Sequence, residues 1–159
     1  MTDMIDPLVS EYVRHIVIVR TDHIGDAVMT IPLIRETKKL FPHAKLDLVL
    51  SDGVVSLFKD CPYADRIIPV KARVLRYADS FHQFVRMWRL RREYFSDKRP
   101  DLVFSPRRGP DADGTALVAW ATGAKTRIAF RKGRHFKPMS AFFHDECFTD
   151  LIDLPPPAT

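Results

Sequence analysis

Little in this sequence offers itself to a metal, a membrane or a disulfide framework. Among 159 residues there are two cysteines, Cys61 and Cys147, far apart and without metal-ligand spacing. His135 and His144 also lack such spacing, so no metal and no cofactor is expected. No apolar run approaches the ~20 residues that a membrane span needs. The opening stretch "MTDMIDPLVSEYVRH" carries acidic residues and no continuous apolar core, unlike a secretory signal. A reduced, cytoplasmic setting is the expectation. Internal repeats, low-complexity runs and recognised nucleic-acid motifs are missing as well, and the positive charge is spread rather than striped, so nucleic acid is not an expected partner.

What is present is an ordinary globular composition, 46% hydrophobic and 28% charged, with length enough for one domain. A net charge of +5 and a pI of 9.4 favour anionic partners without bearing on fold. Residues 16–19 form a short β-branched apolar run, "RTDHIGD" a polar turn, and residues 26–41 keep a mostly helical apolar period. Pro32 interrupts that period. Either the helix kinks there, or Thr30 caps a second segment with Pro32 in its first turn. Residues 45–50 read as the next strand, "GVVSLFKD" as a short helix, and "RIIPV", "DLVFSP" and "RIAF" as further strands. Phe81, Phe84, Val85, Trp88 and Phe95 share one face of a long helix, with Arg86, Arg89, Arg91 and Arg92 on its solvated side. A helix over 112–122 ends at Gly123. This alternation predicts a doubly wound α/β domain with a parallel sheet and ligands at the carboxyl ends of its strands. After Arg131 periodicity fails, and residues 132–159 read as an irregular, finally proline-rich tail or linker whose phenylalanines, with Leu151 and Ile152, pack on this domain or on something outside it.

The turn "DHIGDAVMT" raises the chemical question. A dinucleotide fingerprint needs three glycines and a P-loop its own pattern; Gly25 alone satisfies neither, so no nucleotide is expected to be cradled here. Gly25 suits a tight or left-handed turn. Asp26 has two readings. One is an N-cap, which stabilises by ~1 kcal/mol. The other is a general base at the mouth of a cleft, which could accept a proton from a substrate hydroxyl. On physical grounds alone the cap comes first.

The order of strand, "R-x-D-x-I-G-D-A-V-x-T-x-P-L-I-R", "FPHAKLDLV", "CPYADRII", "PDLVFSPR" and "ATGAKTRIAF" over about residues 14–131 resembles the amino-terminal half of glycosyltransferase family 9, the lipopolysaccharide heptosyltransferases and their O-antigen-type relatives. The resemblance implies a Rossmann-like doubly wound domain, the amino-terminal, acceptor-side half of a GT-B enzyme. It makes the aspartate of the Gly-Asp pair, Asp26, the catalytic base, and reverses the ranking of base and cap. It implies an inverting transfer of a heptose-like sugar from a nucleotide-sugar such as ADP-heptose, held by a second, carboxyl-terminal domain, to a phosphorylated or acidic lipopolysaccharide or O-antigen type acceptor. Residues 1–131 would be the acceptor-side domain, residues 132–159 a link towards that donor domain, and the chain alone less than a complete enzyme. Peripheral contact with the cytoplasmic face of the inner membrane accompanies such an acceptor. "SPRRGPDAD" is closer to the O-antigen-type branch than to the strict heptosyltransferase pattern.

Arg73 and Arg76 after the third strand, and Arg107 and Arg108 after "VFSP", should face the same cleft as Asp26, where guanidinium forks suit phosphates and carboxylates. Arg107, Arg73, Arg76, His23 and Gly25 are therefore the candidate substrate-binding residues. Asp111 and Asp113 fit N-capping. The alternative to an enzyme is a non-catalytic module that binds anionic glycans or glycolipids through these arginines.

Overall fold

The structure, a computed structural model, describes residues 12–71, 80–107, 114–131 and 145–153. The expected alternation is realised as one six-stranded sheet of order β3-β2-β1-β4-β5-β6. Its strands are β1 (His15–Arg20), β2 (Lys45–Ser51), β3 (Arg66–Val70), β4 (Leu102–Ser105), β5 (Thr126–Phe130) and β6 (Asp150–Ile152). Every pairing is parallel. The α-helices among the described residues are α1 (Ile24–Met29), α2 (Ile31–Leu40), α3 (Val55–Phe58), α4 (Ser80–Tyr94) and α5 (Thr115–Ala121). This is the Rossmann-like doubly wound arrangement read from the sequence. The chain steps outward from β1 to β2 and β3, then returns to lay β4 on the other side of β1. The crevice of such a sheet opens at that reversal, between the carboxyl ends of β1 and β4.

The period-2 alternation of β1 splits the core between two layers. Ile16 and Ile18 join Leu46, Leu48 and Leu50 under α1 to α3, where Ala27, Ile34 and Phe58 cover them. Val17 and Val19 join Val49, Ile68 and Val103 on the other face, against Met87 and Leu90 of α4 and Ala116, Val118 and Ala119 of α5. Each such aliphatic side chain stabilises the fold by roughly 1.5–3 kcal/mol, and the alanines let α5 approach the sheet closely. All six residues of β1 are buried, which makes it a rigid base for whatever follows it.

Four sequence expectations change in detail. The 26–41 helix is two helices: Thr30 flanks α2 with Pro32 near its start, but its hydroxyl donates back to the Asp26 carbonyl at 2.8 Å instead of capping. Among the described side chains of α4 the buried ones are Met87 and Leu90, with Phe95 just past the helix, whereas Phe84 and Trp88 are exposed and the side chain of Phe81 lies outside the described ones. The exposed Trp88 instead carries the Arg92 guanidinium 5.3 Å from its ring centre, a contact that suits a partly wet aromatic. Arg91 turns from solvent towards Gly123, its guanidinium 3.3 Å from where a side chain there would begin. Finally, the stretch expected to be irregular supplies β6, which pairs with β5 from Ile128↔Asp150 to Phe130↔Ile152. Phe148 is buried and Leu151 partly buried against the core, while Ile152 is exposed. The proline-rich end, Phe142, Phe143 and the expected capping residues Asp111 and Asp113 lie outside the described residues.

Candidate functional site

The polar residues at the reversal point form an alternating line of charge. Arg20 ends β1, and the chain then runs Thr21, Asp22, His23 into α1. Across the crevice, β4 ends at Ser105 and leads to Arg107. Arg107 Nη1 lies 3.4 Å from Asp22 Oδ2, Arg20 Nε lies 2.9 Å from Asp22 Oδ1, and Arg20 Nη2 lies 3.2 Å from Asp26 Oδ1. The sequence of groups is Arg107, Asp22, Arg20, Asp26, two cations and two carboxylates. Burial falls along it. The side chains of Arg107, Asp22 and Arg20 are 12%, 4% and 9% exposed, whereas that of Asp26 is 52% exposed. Below the line, the Thr21 and Thr115 hydroxyls meet at 2.6 Å and tie the end of β1 to the start of α5.

Burial pushes the Asp22 carboxyl above its ordinary range, against the pull of Arg20 and Arg107 and with a small push from Asp26. The 2.9 Å approach of Arg20 to Asp22 is a charge contact and not a hydrogen bond, since neither atom has a well-aligned partner among the described residues.

Asp26 is not the N-cap. That position is His23, with extended backbone and no side-chain capping bond, and Asp26 is the third residue of α1, where the helix dipole favours a carboxylate. Gly25 is not left-handed either: the described glycines with positive φ are Gly114 and Gly123. It sits inside α1, and a Cβ built on it would meet nothing within 4 Å. Packing therefore does not require glycine there; its effect is open space beside Asp26. His23 is exposed in the same turn. Ile24, Val28 and Met29 of the same short helix, and Ile31 after it, are also exposed.

The structure thus brings together Asp26, Gly25, His23 and, through Asp22, Arg107. Arg73 and Arg76 lie outside the described residues, as does Arg108. Sequence reasoning passed over Arg20 and Asp22. Both stand in the "R-x-D-x-I-G-D" run, but polarity at a strand end reads as a turn, and neither was given a role of its own. No group of three or more potential metal ligands occurs among the described residues, and none of their helices is long and apolar enough to cross a membrane.

No family model matches the sequence. Lipopolysaccharide heptosyltransferase 1 of Pseudomonas aeruginosa is 28% identical over 118 residues, which cover 72% of this chain and 31% of that protein. The fold is similar to that of the glycosyl transferase family 9 protein from Veillonella parvula, with a TM-score of 0.66 at 18% identity over 89% of this chain and 36% of the other. It is also similar to the E. coli heptosyltransferase WaaC solved with ADP, with a TM-score of 0.64 at 19% identity over 91% of this chain and 42% of the other. The chain therefore resembles heptosyltransferases in sequence and in fold, and spans less than half the length of each.

Proposed function

We propose that this chain is the acceptor-side part of an inverting glycosyltransferase and that Asp26 is its general base. An acceptor hydroxyl would lose its proton to Asp26 as its oxygen attacks the anomeric carbon of a nucleotide-sugar. The bond from that carbon to the diphosphate breaks, and the nucleotide diphosphate leaves with the bonding pair. The observation that carries this reading is the half-exposed carboxylate at the β1/β4 crevice, fixed on one oxygen by a buried arginine. A base must be reachable and held, and Asp26 is both.

The missing glycine fingerprint supports a donor held elsewhere. WaaC is solved with ADP, and more than half of that chain has no counterpart in this one, which leaves room for a donor domain. A heptose-like donor and a lipopolysaccharide-type acceptor follow from the same resemblance, and the exposed apolar rim of α1 suits the lipid-bearing side of such an acceptor.

The experiment is to co-express the chain with the carboxyl-terminal part of the Pseudomonas relative and follow sugar transfer from ADP-heptose to a core acceptor. Asp26→Asn should lower the rate by about 10²–10⁴-fold, the usual share of a general base. Transfer at the parent rate would refute the assignment. Binding of phosphorylated saccharides without turnover, insensitive to Asp26 and lost in Arg107→Gln, would favour a non-catalytic module instead.

A further inference from the structure

We infer that Arg20 is a positioning residue that holds Asp26, and that Asp22, braced by Arg107 from β4, holds Arg20. The inference deepens the transferase reading, on which only its catalytic meaning rests.

Asp26 stands on a six-residue helix at the surface, and by itself its carboxylate would be free to turn. One of its oxygens is 3.2 Å from Arg20 Nη2. Among the described residues no partner engages the other, which leaves it for a hydroxyl. Arg20 issues from the last residue of the fully buried central strand, so its stem starts from the most rigid part of the sheet. A buried guanidinium is costly unless its charge is met, and Arg20 meets two carboxylates through opposite ends of its fork.

Asp22 cannot serve as a second base, because its side chain is almost wholly buried and each oxygen faces a guanidinium. Its place explains why it is there: it fixes the Nε end of Arg20 and directs the Nη2 end outward. Arg107 reaches the second oxygen of Asp22 from the other side of the crevice. Arg107 is then chiefly a brace and not a free phosphate ligand. The two halves of the sheet meet in this line of charge, and only its last member faces solvent.

The test uses the full chain and two NMR readouts, rotation of the Arg20 guanidinium and the titration midpoint of the Asp22 carboxyl. Asp26→Asn alters an exposed side chain, so the fold should survive. It should speed Arg20 rotation and move the Asp22 midpoint downward, since a like charge goes and Arg20 becomes wholly available to Asp22. Unchanged rotation and midpoint would overturn the proposal. Arg107→Gln should move the Asp22 midpoint upward; no movement would remove Arg107 from the network. Arg20→Lys keeps the charge but loses the fork, so in that background Asp26→Asn should move Asp22 less, by the direct like-charge effect alone, and an undiminished shift would show that Arg20 does not link the two. These signals do not depend on sugar transfer. If they behave as described while Asp26→Asn transfers sugar normally, the base assignment fails and the positioning stands.

Discussion

Removing the carboxylate of Asp47 should destabilise the domain without touching the candidate site. Asp47 lies in β2, fully buried, towards the amino ends of the strands and so opposite the crevice. One of its oxygens, Oδ2, serves three partners: His15 Nε2 at 2.8 Å, Arg66 Nη2 at 2.6 Å and Lys45 Nζ at 3.3 Å. These come from β1, β3 and β2, so the carboxylate ties three neighbouring strands. Breaking a buried ion pair by removing one partner costs about 3–5 kcal/mol. Here the loss is softened. Arg66 and Lys45 are 31% and 44% exposed and can turn to water, and Arg66 keeps the Tyr94 carbonyl at 3.1 Å and the Tyr94 ring at 5.5 Å. His15 is buried and has no such retreat. Asp47→Ala should therefore cost about 2–3 kcal/mol, the buried-pair figure discounted for screening. That corresponds to a fall in Tm of roughly 4–12 °C for a domain of this size. Asp47→Asn, which keeps an acceptor for His15, should lose about half as much. Urea melts read the effect as a lower midpoint at unchanged slope. A loss below about 0.5 kcal/mol for Asp47→Ala, the range of ordinary surface changes, would refute the reasoning.

The acid limb of the stability curve should belong to the same residue. Burial resists ionisation of Asp47, but the bonds with His15 and Arg66 outweigh it and hold the carboxyl below its ordinary range; Asp65 is lowered too, by the Leu46 amide and Lys38 against its own burial. Their stabilisation is complete above the ordinary aspartate value of ~3.9 and is lost as pH falls through the depressed folded values, so Asp47→Asn should flatten that limb in melts from pH 5 downward. Asp22 has the opposite sign: with its carboxyl raised, stability falls as pH climbs from ~3.9 through the raised value, and Asp26→Asn should narrow that window. Gly123→Ala should cost about 1–2 kcal/mol in a thermal melt, because φ is +73° there and the new methyl also crowds the Arg91 guanidinium. Gly25→Ala should raise stability by about 0.5–1 kcal/mol, since the residue is helical and a methyl meets nothing, while sugar transfer by the completed enzyme falls as the space beside Asp26 fills.

The legible parts of this fold are those in which burial and local pattern agree. Strands β1 to β5 are runs or alternations of β-branched and aliphatic residues, and their order with the helices already implied a parallel sheet. β6 was not legible. It has three residues, and it is a strand because β5 offers an open edge, which is a property of the neighbour and not of "DLI" itself. The face of α4 was misread for a related reason: Phe84 and Trp88 are the more apolar residues, but sheet contact selects the slimmer Met87 and Leu90.

At the site the same division holds. Asp26 could be found because a Gly-Asp pair at a strand-to-helix turn is a local signal, yet its N-cap reading failed because the cap lies three residues earlier, at His23. Arg20 and Asp22 could not be found in this way, since nothing local distinguishes a charged residue that will be buried from one that will be solvated. Only the return of β4 to the side of β1 brings Arg107 to Asp22. The exposed end of that line was therefore open to sequence reasoning and the buried end was not. It follows that substitutions which preserve the "G-D" pair but alter the buried end should disturb the site as surely as altering Asp26, and that a search for that pair alone would miss them.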